Sequence, residues 1–272
     1  MSAETATTDS YNPNVGRGLA WTLRDSWTEA KRHITPIPRD PELLVYAIVQ
    51  PIMFILLFNY VFGGSIAAEG YASYTQFLIP GILAQTVVFG SAYTSVGIAE
   101  DMQKGFMDRL RSLPISQPSV LIGRTFSDML RNLVSVVSMV AVSLAIGFRF
   151  NGGIANAALA IGILLLFSYA LSWINALIGL SVKSVEAANS AGFTWMFPLT
   201  FVSSAFVPTQ NMTPWLRRIA EANPFTILTN ACRALTNGLP VDDTLWQSLA
   251  WSVGIIAIFG FLSIRKFTNT NS

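Results

Sequence analysis

Six long apolar runs constrain this chain more than any other feature: Leu43 to Phe62, Phe77 to Ile98, Met129 to Phe148, Ile154 to Val182, Ala187 to Val207 and Leu245 to Ile264. A bilayer core about 30 Å thick needs ~20 apolar residues for each helical crossing. Each run meets that requirement. The fourth exceeds it, which requires tilt or projection into water. None alternates between apolar and polar residues as barrel strands do. With 52% hydrophobic and only 12% charged residues, the chain also lies outside the composition of soluble domains. The expected fold is all-α, a polytopic membrane protein with six transmembrane helices, an N-terminal interfacial amphipathic helix and an outer re-entrant helical hairpin.

The net charge of +2 says little, but its distribution sets an orientation. Basic residues near span ends are retained on the cytoplasmic side. With both termini inside, 13 of the 17 lysines and arginines fall on inner segments, leaving Arg149, Arg217, Arg218 and Arg233 outside. The expected location is a bacterial cytoplasmic membrane. "MSAETATTDS" has acidic residues and no basic lead into an apolar run, so the first span serves as its own insertion signal. The single cysteine, Cys232, excludes an internal disulfide.

Three regions divide the chain: residues 1–42, an inner tail with its interfacial helix; residues 43–267, the transmembrane domain; and residues 268–272, a short tail. Ahead of the first span, Leu19, Leu23, Trp27, Ala30 and Ile34 recur at helical spacing and gather on one face. Cations toward the margins suit a helix lying in the inner interface, until Pro36, Pro38 and Pro41 break it. His33, alone before this elbow, reads as a surface residue.

The segment between spans two and three, residues 99–128, is unusually charged. In "EDMQKGFMDRLRSLPIS", the residues Ile98, Met102, Phe106, Leu110 and Leu113 form a stripe at near-helical spacing. That pattern predicts an amphipathic helix continuing from span two and stopped at Pro114. A passive connector needs about two to eight residues, so this longer one is expected to contact something. A second structured segment, residues 208–243, holds two helices too short to cross. "TPWLRRIAEANP" has Thr213 as cap and Pro214 in its first turn, and "PFTILTNACRALTNG" starts at Pro224 and closes at Gly238. Their apolar faces suggest a hairpin dipping into the outer leaflet.

"EDMQKGFMDRLRSLPISQPSVLIGRTFSDMLRN" resembles the cytoplasmic segment of ABC-2 type ATP-binding-cassette exporter permeases, in particular the daunorubicin-resistance-type membrane subunits. "ANPFTILTNACRALTNG" is similar to the family's asparagine-proline segment followed by an arginine-containing helix and glycine. The resemblance spans nearly the whole chain, though Thr229, Asn230 and Thr236 make the outer segment more polar than the family pattern. It implies that Asp101, Phe106, Arg109, Leu110, Arg111 and Pro114 couple the permease to a separate cytoplasmic ATP-binding subunit. Arg109 and Arg111 would contact that subunit, with Phe106 and Leu110 as packing anchors. It also implies a second permease chain, identical or related, and an outer hairpin, marked by Trp215, Asn223, Pro224 and Arg233, that caps the exit. Spans one, two and five would flank the dimer interface and the route.

Polar and aromatic residues inside those spans, Gln50, Asn59, Gln85, Phe193, Trp195 and Phe197, are the candidates for lining a pathway. Interhelical hydrogen bonding is the simpler reading for Gln50, Asn59, Gln85 and Asn175. No G-x-x-x-x-G-K-[ST] run exists to cradle phosphates, so ATP and magnesium would be bound by the partner and no cofactor by this chain. The expected function is a permease subunit moving a drug, lipid or glycan of hydrophobic or amphipathic character. An ion-coupled drug transporter is the rival, disfavoured because the span interiors hold no Asp, Glu, Lys or His. A membrane enzyme would have to rely on Asp242 and Asp243, which read more simply as a helix start. No metal or nucleic acid is expected to bind.

Overall fold

The computed structural model describes residues 49, 52–62, 70–105 and 117–269. Regular structure among them is helical throughout: α1 (Tyr74–Ser91), α2 (Tyr93–Gln103), α3 (Gln117–Ala145), α4 (Gly153–Gly179), α5 (Val185–Phe201), α6 (Pro214–Ala222), α7 (Pro224–Asn237) and α8 (Thr244–Asn269). Residues 52–57 are also helical and run into a π-helical turn, Phe58–Phe62. The interfacial helix, His33, Gln50 and the candidates Phe106, Arg109, Leu110, Arg111 and Pro114 lie outside the described residues, as does the side chain of Asn59.

Four stretches among the described residues are long and apolar enough to cross a membrane: Tyr74–Gln103, Pro118–Ala145, Gly153–Gly179 and Thr244–Asn269. The first joins α1 to α2 through Ala92. The molecule is thus an all-helical polytopic membrane protein. Of the other two expected crossings, α5 has 17 residues and the first run is described only in part.

Helix α4 is the hub, packed against α1, α2, α3, α7 and α8. On α8 the buried residues Ser248, Ser252, Ile255, Gly260, Ser263 and Phe267 form the stripe that meets the bundle. Trp251, Val253, Ile258, Phe261 and Leu262 point away, the pattern of a helix with one side in lipid. α1 is instead enclosed along nearly its whole length. Lipid supplies no hydrophobic drive between helices, so small residues and hydrogen bonds hold them. Asn132 Nδ2 of α3 donates to Ser168 Oγ of α4 at 2.5 Å, and Asn175 Nδ2 of α4 to Ser91 Oγ of α1 at 3.1 Å. Ser95 Oγ of α2 donates to the Ala188 carbonyl of α5 at 3.2 Å. Asn175 therefore does what hydrogen bonding between spans requires.

Three sequence expectations are corrected. The helix of span two does not continue to Leu113. It closes at Gln103, where the Lys104 N–H bonds the Glu100 carbonyl and Gly105 turns left-handed at φ 63°. Glycine adopts that conformation without steric cost, and a stripe of apolar residues does not override it. The helix that carries span three starts well before Met129: α3 is continuous from Gln117 and includes "SVLIGRTFSDMLRN". The helix of span five stops early as well: Pro198 sits in the last turn of α5, and residues 202–207 are irregular.

Candidate functional site

The hairpin is built as its prolines and glycine require. α6 and α7 are separated by Asn223 alone, each starts at a proline whose missing N–H is no loss at that position, and α7 ends at Gly238 with φ 70°. Asn223 accepts from the Phe225 N–H at 2.8 Å, which caps α7. Its Nδ2 meanwhile donates to the carbonyls of Leu199 and Val202, at 2.7 Å each. One side chain thus starts α7 and closes the end of α5. Trp215, on α6, is 67% exposed.

Arg233, which the charge count places on the outside, is buried to 1% exposure. Its physical reason is the irregular stretch after Phe201. Backbone that leaves the helical ladder inside a membrane protein needs internal partners. Arg233 Nη2 donates to the carbonyls of Ser204 and Ala205 at 2.6 and 2.7 Å, and Nε to that of Phe77 at 2.8 Å. Nη1 donates to Ser204 Oγ and Asn230 Oδ1, both at 3.1 Å. The guanidinium also lies 3.6 Å from the centre of the Phe77 ring. Tyr74 Oη donates to the Phe206 carbonyl at 2.9 Å, and the Ser204 N–H bonds Thr226 Oγ1 at 3.1 Å. This is why α7 carries an arginine and an asparagine where apolar residues would otherwise pack. Beside the knot opens a cavity of about 350 Å³, with Tyr71, Phe77, Gln210, Asn230, Arg233 and Asp242 in its wall. Cys232 is buried against the Ala160 carbonyl.

Between the two ends, phenylalanine rings run in an unbroken series. Phe193 and Phe197 of α5 lie 5.7 and 5.4 Å from Phe89 of α1. Phe201 follows 5.9 Å from Phe197, Phe206 lies 5.6 Å from Phe201, and Phe58 stacks 4.6 Å from Phe206. Phe197 and Phe201 remain 50% and 47% exposed on this flank. Gln85 and Trp195 also belong to the expected lining set. Each keeps a buried N–H donor, Nε2 and Nε1, that finds no acceptor among the described residues.

The opposite end holds a network that the sequence did not single out. Asp101, expected among the coupling residues, is 9% exposed and faces α3, where Arg124 Nη1 reaches it at 3.4 Å. Arg124 Nε lies 3.5 Å from Asp128, whose other oxygen takes Arg131 at 2.8 Å. Thr94 Oγ1 of α2 donates to Asp128 at 2.6 Å, and the Arg131 guanidinium sits 4.6 Å over the Tyr93 ring. The i,i+4 spacing of Arg124 and Asp128 and the i,i+3 spacing of Asp128 and Arg131 were visible signals. Counting those arginines only as topology markers hid them. Lys266 Nζ of α8 donates to Ser181 Oγ at the same end, at 2.8 Å. Among the described residues, no group of acidic, histidine or cysteine side chains could hold a metal.

An all-helical bundle with a buried polar seam and an aromatic flank has the build of a membrane permease. The profile of the ABC-2 type transporter family matches residues 25–236, and the chain belongs to that family. It is 34% identical over 96% of its length to a daunorubicin resistance ABC transporter permease protein, DrrB1, of Streptomyces coeruleorubidus, covering 90% of that protein. A probable doxorubicin resistance permease of Mycobacterium tuberculosis, DrrC, is 24% identical over 85% of this chain and 83% of its own. A putative transport permease of Cyanophora paradoxa, ycf38, is 27% identical over 78% of this chain and 74% of its own. The chain is the membrane permease component of an ABC transporter.

Proposed function

We propose that this permease exports an amphipathic aromatic drug, of the kind named for its Streptomyces and Mycobacterium relatives, across a bacterial cytoplasmic membrane. It crosses six times with both termini in the cytoplasm, pairs with a second permease chain along the aromatic flank, and is driven by a separate ATP-binding subunit that holds ATP and magnesium. That subunit docks on residues 101–114, with Phe106 and Leu110 packing and Arg109 and Arg111 making charged contacts. Closure of the ATPases tilts the spans between inward-open and outward-open states. Phe193, Trp195 and Phe197 offer the cargo aromatic surface, and Gln85 offers a donor. Trp215, Asn223, Pro224 and Arg233 belong to the lid over the exit. The near-full-length match to a daunorubicin resistance permease carries this reading.

The test is doxorubicin efflux from cells expressing the chain with the ATPase encoded beside it. Depleting ATP stops efflux, whereas collapsing the proton gradient at constant ATP leaves it running. Phe106→Asp abolishes efflux while the protein still inserts. Efflux that follows the proton gradient, or that is unchanged in Phe106→Asp, overturns the reading.

A further inference from the structure

The last turn of α2 and the second turn of α3 are the two roots of the segment on which the ATPase subunit docks, and the polar network lies between them. Its contacts form an antiparallel ladder: Asp101 with Arg124, Thr94 with Asp128, and Tyr93 with Arg131. Among the described residues its two carboxylates and two guanidiniums balance one another, so none of these ions is buried without a partner of opposite charge. Gly97 lies between the rungs. A methyl group built on it would land on the Arg124 guanidinium, so this glycine is the seat of that side chain.

Resting on the docking reading above, we infer that Arg124 is the positioning residue that clamps α2 to α3, so that a push on the docking segment moves both helices as one body. Without the clamp, a displacement at the segment spreads the two roots apart. It is then spent locally and does not reach α1, the enclosed helix that continues from α2. The ATPase still binds and still turns over, but hydrolysis no longer moves cargo.

The experiment uses the permease–ATPase complex in proteoliposomes and reads three quantities: co-purification of the ATPase, ATP hydrolysed, and doxorubicin transported. In Arg124→Gln, co-purification and hydrolysis stay at the wild-type level while doxorubicin moved per ATP falls at least about fivefold. Gly97→Ala keeps every charged residue and displaces only the flexible end of Arg124; it shows the same loss with an intact fold. An unchanged ratio in both Arg124→Gln and Gly97→Ala overturns the inference. So does loss of the ATPase from either variant, since the network would then serve the docking surface itself. Failure of the wild-type permease to hold the ATPase, or to lose it when Phe106 is replaced, brings down the docking reading instead.

Discussion

Arg233 is the residue on which the hairpin end turns. Its five N–H groups are all engaged, every one by a neutral acceptor, and three of those acceptors are main-chain carbonyls with little other recourse. Replacing it with alanine leaves those carbonyls buried and unmet. The expected loss is about 3 kcal/mol, read as a lower unfolding midpoint in detergent. Arg233→Lys recovers less than about half of that, because an ammonium cannot span a planar fork of acceptors. An equal stability for the lysine variant and the parent would mean that charge alone suffices. The sequence put this arginine on the outer hairpin but gave no sign that it is buried. Charge counting ranks side chains by where charge is cheap, and only the irregular stretch after Phe201 explains why one is buried.

At the level of helices, most boundaries set by local chemistry were readable and those set by packing were not. Pro214, Pro224 and Gly238 delimit α6 and α7 because each acts on its own backbone. The end of α2 was missed although Gly105 stood in plain view. The apolar stripe through Phe106 and Leu110 describes what a helix could bury there, not whether the backbone continues. The polar ladder between α2 and α3 was hidden for another reason: its members are about 23 to 38 residues apart in the chain and only the fold pairs them. Asn223 offers a test at this scale. Asn223→Asp keeps the oxygen that caps α7 but loses both donors to the end of α5, so hydrogen exchange should quicken at residues 202–205 while α7 keeps its protection. Stability should fall by about 1–2 kcal/mol. Matching exchange in both regions would show that the cap and the tie are not separable.

For the molecule as a whole, the proposed orientation and pairing make distinct predictions. A cysteine at Arg217 should react with a membrane-impermeant maleimide on intact cells, whereas one at Lys183 should react only after lysis. The reverse pattern would invert the topology. A cysteine at Phe201 should cross-link two copies of the chain in the membrane if the half-exposed flank of rings is where permeases meet. Monomers alone under oxidation would assign that flank to lipid or cargo. The general class, an all-helical membrane protein, was legible from the apolar runs alone, because water and hydrocarbon sort residues without regard to partners. Which helix sits at the hub was not: α4 is the most apolar of the four long stretches, but apolarity alone does not tell a helix enclosed by protein from one facing lipid.

Past Val202, whose N–H still bonds the Pro198 carbonyl, the irregular stretch is fastened by side chains and not by a helical ladder. A helix resists opening as a unit, because each turn holds its neighbours; this stretch can be undone bond by bond as water replaces one donor after another. If the proposed orientation holds and a passenger departs at this face, the chain has a zipper there where the rest of the wall is welded.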